Sequence, residues 1–223
     1  MNLIESISDE LTDISKGLSG PIFKTKVLAK RVGNEDLYSW ADMEINGYSS
    51  EKLAPAYRHV KLVVSSNFYY AGQFYKNSPL PIAFIEDDFV APLIIQKLTN
   101  GIQALELEAS GHYGDRIGKE FGIDACSIVN KVIKPNHTIR FEYMKASYHV
   151  TDIVQVLSSI RSKLLDFILE VEKQFPDMDN LMKNKIEIKK PDKEVVDKIF
   201  HQTIINAGSD NIITTGNNNQ VSK

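Results

Sequence analysis

Lys24, Lys26, Lys30 and Arg31 put four cations into one short segment. On a helix, Lys26 and Lys30 are neighbours at i, i+4, with Arg31 beside them. That spacing suits an anion site for nucleotide or nucleic-acid phosphate, and it equally suits an ordinary solvated polar face. Tyr69, Tyr70, Phe74 and Tyr75 follow on what reads as a hairpin. Such rings can stack on bases, although aromatic residues in strands usually pack. A third constellation is Trp40, Asn46, Gly47 and Tyr48. Asn46-Gly47 supplies a left-handed helix end, over which Tyr48 can fold back beside Trp40. The same rings are alternatively a ligand contact.

No catalytic pattern accompanies them. The 5 histidines, at 59, 112, 137, 149 and 201, never stand at i, i+4, and neither His-Glu-x-x-His nor Cys-x-x-Cys occurs. No metal ligand set, cofactor fingerprint or catalytic residue is therefore expected. Gly-x-Ser-x-Gly is absent. The glycines between 111 and 122 are not framed as a phosphate loop. Cys126 reads as a small buried thiol in a reducing compartment.

The C-terminus repeats itself. Ile204, Ile205, Gly208 and Asn211 recur eight positions on as Ile212, Ile213, Gly216 and Asn219, so both octads read Ile-Ile-x-x-Gly-x-x-Asn. An apolar pair followed by a Gly/Asn corner is the pattern of stacked β-arcs. About three such units are usually needed for stability. The tail is thus expected to stack on copies from other chains, giving a homo-oligomer, or to stay disordered.

The 223 residues contain 43% hydrophobic and 25% charged side chains, with a net charge of −3, as expected of a globular core with no global pull toward polyanions. The early acids of the N-terminus exclude a signal peptide, and no apolar run approaches the ~20 residues of a membrane span. A cytoplasmic protein is the expectation.

The elements that must position these residues follow from periodicity. Leu3, Ile4, Ile7, Leu11 and Ile14 form a helical stripe over 3–16. Residues 21–32 form a second helix with Ile22, Phe23, Val27, Leu28 and Val32 apolar. Asn34 caps a third, giving an N-terminal bundle. Alternation at Val60–Val64 and the run Phe68–Tyr75 predict a strand pair, with Ser66-Asn67 as a possible turn. Residues 87–108 read as one helix, 111–122 as loop, and 139–143 as a strand. Val150, Ile153, Leu157, Ile160, Leu164, Phe167 and Val171 predict a long helix over 151–175, either the core helix or a dimeric coiled-coil seam. The predicted class is α+β and mostly helical. It combines a helical bundle, a small antiparallel β-element, a long core helix and a β-arc tail. The units are 1–176, a polar linker 177–190, a short helix 191–203 and the tail 204–223.

A family resemblance rests on several of these segments in order. Lys26-Val27-Leu28, Val32 through Trp40, and Glu44-Ile45-Asn46-Gly47-Tyr48 resemble the AbiTii domain, as do Tyr57-Arg58 after Pro55 and the proline-flanked 78–82. The likeness spans roughly 1–170. It implies a role in bacterial abortive-infection defence against phage, with no catalytic residues to carry over. The octads are similar to Gly-Asn-Asn repeats of bacterial defence and surface proteins. The implied function is an oligomerising, non-enzymatic sensor or effector with a defence-system partner. The alternative is a nucleotide- or nucleic-acid-binding protein, or toxic enzyme, using the basic second helix.

Overall fold

The computed structural model describes residues 3–121, 123–135, 137–176 and 193–205. It is mostly helical with small antiparallel sheets, as the alternation of 3.6- and 2-residue periods predicts. Three helices open the chain: α1 (Leu3–Thr12), α2 (Ser19–Val32) and α3 (Glu35–Asn46). Asn34 caps α3, its side-chain oxygen accepting the Leu37 N–H at 2.8 Å. No side chain of its own caps α2; Glu106, from a later helix, accepts from Leu18 N–H and from Ser19 Oγ–H.

Two details of the bundle differ from the sequence reading. α1 ends at Thr12, and Ile14 is 88% exposed, because Asp13 takes the Ser15 N–H and hydroxyl in a turn that competes with the helix. On α2 the buried stripe is Ile22, Thr25, Leu28, Ala29 and Val32, while Phe23 and Val27 face outward.

Beyond α3 lie β1 (His59–Lys61), β2 (Val63–Tyr70), β3 (Gln73–Pro79), α4 (Asp87–Ile94), β4 (Ile95–Lys97) and α5 (Ile102–Ala109). β2 runs straight through Ser66-Asn67, and the hairpin turns at Ala71-Gly72, both of positive φ. Asn67 marks a bulge instead: its side chain accepts the Asn77 N–H at 2.7 Å. The single helix expected over 87–108 is two helices separated by β4, which pairs antiparallel with β1. That pairing is non-local and leaves no local signal.

β5 (Arg116–Glu120) occupies the expected glycine-rich loop, and α6 (Ile123–Lys131) follows it. β6 (Ile139–His149) is longer than predicted and joins β2 to β5 in a four-stranded antiparallel sheet ordered β3-β2-β6-β5. Its register sets Val63 opposite Ser147 and Ser65 opposite Lys145. Gly118 lies opposite Ser147, and Glu120 opposite Lys145. One sheet face carries Val64, Phe68, Phe141, Met144, Ala146 and Tyr148 into the core.

α7 (Val150–Gln174) is the axis of the molecule. Ile153, Val156, Ile160, Leu164, Phe167, Ile168 and Val171 are all buried in the chain's own core. The heptad stripe is therefore spent on α1, α5 and a C-terminal helix, and forms no coiled-coil seam. At roughly 1.5–3 kcal/mol for each large apolar side chain buried, internal packing is ample reason for the stripe. Arg161 on α7 donates to the carbonyls of Glu10, Leu11 and Asp13, closing the C-terminal end of α1 with a cation.

The C-terminal helix α8 (Lys193–Phe200) buries Val196, Ile199 and Phe200. It runs on into a π-helical turn, His201–Ile205. Ile204 is fully buried there and Ile205 half-exposed, so the first apolar pair of the octads belongs to a helical turn rather than to a β-arc. Gly208, Asn211, Ile212, Ile213, Gly216 and Asn219 lie outside the described residues, as do the linker 177–190 and the rest of the tail.

Candidate functional site

The distinctive motif of α3 folds into a buried polar cluster. Trp40 and Glu44 share one face of the helix at i, i+4, and Gly47 ends it with φ 93°. That conformation suits glycine, and so does the crowding: a Cβ on Gly47 would stand 2.7 Å from the Thr99 carbonyl oxygen. Across the crossing, a Cβ on Gly101 would stand 2.3 Å from the Ile45 carbonyl oxygen. Two backbones thus touch, and Tyr48 N–H donates to the Thr99 carbonyl at 2.8 Å.

Arg58 and Glu44 are fully buried and paired. Arg58 Nε donates to Glu44 Oε1 at 3.2 Å, and Nη2 donates to Oε2. Nη1 donates to the Leu98 carbonyl at 3.0 Å and the Asn100 carbonyl at 2.7 Å. Glu44 Oε1 also accepts the hydroxyls of Tyr48 at 2.6 Å and Tyr57 at 2.7 Å. Trp40 Nε1–H donates to the Tyr57 oxygen at 2.7 Å. Arg58 also lies over the Tyr48 ring, 4.8 Å from its centroid.

Burial, and then the Glu44 charge, push the Tyr48 and Tyr57 phenols well above their ordinary range. For Arg58, burial works against the charge, but Glu44 more than offsets it and the guanidinium is held firmly protonated. The hydrogen bonds of this cluster run among its own members and to the carbonyls of Leu98 and Asn100, and they fasten α3, the turn Ala56–Arg58 and the loop before α5 to one another.

The basic segment of α2 does not form one patch. Lys24 and Lys26 are two residues apart, so they leave the helix in different directions. Lys24 turns toward α1, bonding Glu10 at 2.8 Å and the Ser6 hydroxyl at 2.6 Å. Lys26 turns toward α3 and pairs with Asp42, and it lies 5.0 Å from the Tyr38 ring centroid. The bond to Asp42 raises the Lys26 pKa, against a smaller opposing effect of burial. Lys30 pairs with Glu35 at 3.4 Å. Arg31 is exposed at the end of the helix. Three of the four cations thus have a carboxylate, and a phosphate would have to displace it.

The thiol of Cys126 is buried, and that burial pushes its pKa up, the opposite of what a nucleophile requires. The fold also assembles a triplet that spacing did not suggest: Asp36, Asp197 and His201, with ligand atoms within 4.8 Å of one another. Asp197 accepts from Asn34 Nδ2 at 3.3 Å, and His201 Nε2 lies 3.8 Å from Asp36. These contacts tie α8 to the start of α3.

Sequence reading missed a concave surface on the sheet. On the sheet face turned away from the core, a cleft of about 530 Å³ is lined by Val63, Ser65, Asn77, Arg116, Lys145 and Ser147, with Gly118 at its floor. Its residues come from all four strands of the sheet. The alternation of Arg140 and Glu142 with Ile139, Phe141 and Tyr143 marked β6 as half-buried; that Lys145 shares a cleft with Arg116 depends on register alone.

In comparison with known proteins, the family model described as AbiTii matches residues 2–197. No curated protein and no solved structure matches the chain.

Proposed function

The chain belongs to the AbiTii family, whose name associates it with abortive infection, and we propose on that footing that it is a non-catalytic, self-assembling component of a phage-defence system. The observation that carries the reading is the root of the tail. α8 and the π-helical turn are seated in the core through Val196, Ile199, Phe200 and Ile204. Lys163 of α7, itself buried, reaches the Ile204 carbonyl at 3.5 Å. The second Ile-Ile-x-x-Gly-x-x-Asn octad therefore begins seven residues after an anchored point (212 against 205), not at the end of a long tether. Repeats held that close to a rigid body can stack on copies from other chains with little additional ordering of the core. The burial and internal bonding of the Glu44–Arg58 cluster support a scaffolding role for the family motif rather than chemistry at it.

Light scattering on the full chain and on the Ile212→Asp, Ile213→Asp double variant tests this. A defined oligomer that dissociates in the variant, with parallel loss of phage protection, is the expected result. A monomer in both preparations removes the assembly. A truncation used as a cross-check must end after Ile205, because an earlier cut would remove the buried Ile204 and unsettle the core.

No observation favours the alternative of a phosphate-binding patch on α2, since Lys24, Lys26 and Lys30 are already paired with carboxylates. Among the described residues no helix is long and apolar enough to cross a membrane.

A further inference from the structure

We infer that the outer face of the β3-β2-β6-β5 sheet binds single-stranded nucleic acid, with a phosphate in the cleft between Arg116 and Lys145. The inference is independent of the tail and of assembly. An antiparallel sheet with one face in the core presents every second residue outward, and here those residues are of two kinds. Toward one end they are polar and cationic: Arg116, Lys145, Ser65, Ser147 and Asn77 around the cleft. Toward the other they are aromatic: Tyr143 opposite Asn67, then Tyr69 flanked by Phe74 and Arg140 in register.

Tyr69, Phe74 and Tyr143 are all exposed, at 45%, 47% and 36%. The Tyr69 and Phe74 rings lie against each other with centroids 4.8 Å apart, tilted by 42°. Two exposed tyrosines and an exposed phenylalanine beside cations on one sheet face point to a ligand with both π-faces and negative charge. From Arg140 to Ser147 the strand covers about 23 Å at ~3.3 Å per residue, enough for a short run of nucleotides.

The cleft brings two cations, Arg116 and Lys145, together in a chain whose net charge is −3. Among the described side chains that line the cleft, none is a carboxylate. Elsewhere on the sheet Glu142 is 3.8 Å from Arg140, and Glu120 is the register partner of Lys145. Ser65 and Ser147 bring hydroxyls to the same opening, and Arg116 Nη1 is already turned to the Ser147 hydroxyl at 3.4 Å. Gly118 keeps the floor open: a Cβ there would meet only the Ala146 carbonyl oxygen, at 4.0 Å. A planar guanidinium and an ammonium above hydroxyl donors are the groups that hold a phosphodiester. The rings further along the sheet would stack bases without reading their edges, so binding should tolerate sequence and require unpaired bases. A duplex hides those bases and should bind poorly.

The test is fluorescence anisotropy of the full chain with labelled oligonucleotides about 12 nucleotides long, as single-stranded RNA, single-stranded DNA and duplex DNA. Single strands should bind more tightly than duplex. With two or three phosphate contacts, affinity should fall about 7- to 18-fold between roughly 50 and 200 mM salt. Binding of RNA alone, DNA alone or both identifies the source and supports the site. Lys145→Gln should weaken binding several-fold and Tyr143→Ala by about 5-fold or more, whereas Lys26→Glu and Lys30→Glu should leave it unchanged. Both Lys145 and Tyr143 are exposed, so their variants are expected to fold, and a matching thermal midpoint checks this. No single-strand binding at low salt, a preference for duplex, or binding indifferent to both Lys145→Gln and Tyr143→Ala would overturn the inference.

Discussion

Glu44→Gln should be among the most damaging small changes available to this protein. The substitution alters almost no volume but removes the negative charge from a carboxylate with no exposure. Arg58 remains, also with no exposure, and its Nε and Nη2 then face a neutral amide. Amide nitrogen in either oxygen position meets a donor: the Tyr48 and Tyr57 hydroxyls and Arg58 Nε on one side, Arg58 Nη2 on the other. Removing one partner of a buried pair typically costs about 3–5 kcal/mol, because the survivor keeps its desolvation penalty without its compensation. In a domain of this size each kcal/mol lowers the thermal midpoint by roughly 2–4 °C, so the expected drop is about 6–20 °C. Thermal and urea unfolding of the two proteins at neutral pH measure it. The exposed pair Lys30–Glu35 is the internal control, and Lys30→Ala there should cost under about 1 kcal/mol. A Glu44→Gln protein within about 1 kcal/mol of the parent would refute the account of the cluster as a charged lock.

Two further outcomes follow from the same region. The raised phenols of Tyr48 and Tyr57 mean that the folded chain keeps protons which the unfolded chain loses near pH 10. Stability from this source is therefore complete below about pH 10 and declines above it, by up to about 1.4 kcal/mol per pH unit for each group. Urea midpoints at about pH 9 and pH 11 should show that slope, and Tyr57→Phe should flatten it; an unchanged slope in the variant counts against the assignment. Gly101→Ala should destabilise by about 1–3 kcal/mol or more, since its Cβ would stand 2.3 Å from the Ile45 carbonyl oxygen and backbone must move. Wild-type stability in that variant, measured by the same urea titration, would mean that the α3 crossing is looser than described.

Local chemistry made much of the helical frame legible. The Asn34 cap, the Gly33 and Gly47 helix ends and the 3-4 spacing of α7 each act within a few residues, so their signal lies in adjacent positions. The motif of α3 was legible in the same way as far as Trp40 and Tyr48. Nothing local indicated that Glu44 would meet Arg58, or that both would hold the carbonyls of Leu98 and Asn100. Lys24, Lys26 and Lys30 looked alike in sequence, and only the packing of α1 and α3 against α2 decided that each would be neutralised by a different carboxylate. Ile204 looked like the first residue of a repeat, and the hydrophobic pull of the α7 groove claimed it for the core. The candidate site was the least legible of all. Arg116, Ser65 and Lys145 carry no mutual spacing, and they share a surface because antiparallel register between β2, β6 and β5 brings every second residue to one side. The sequence by itself determined the helices α2, α3 and α7, the stops at Gly33 and Gly47, and which family the chain resembles, because those depend on neighbours along the chain. Charge pairing, strand order and the position of the cleft depend on neighbours across space, and only the tertiary structure decided them.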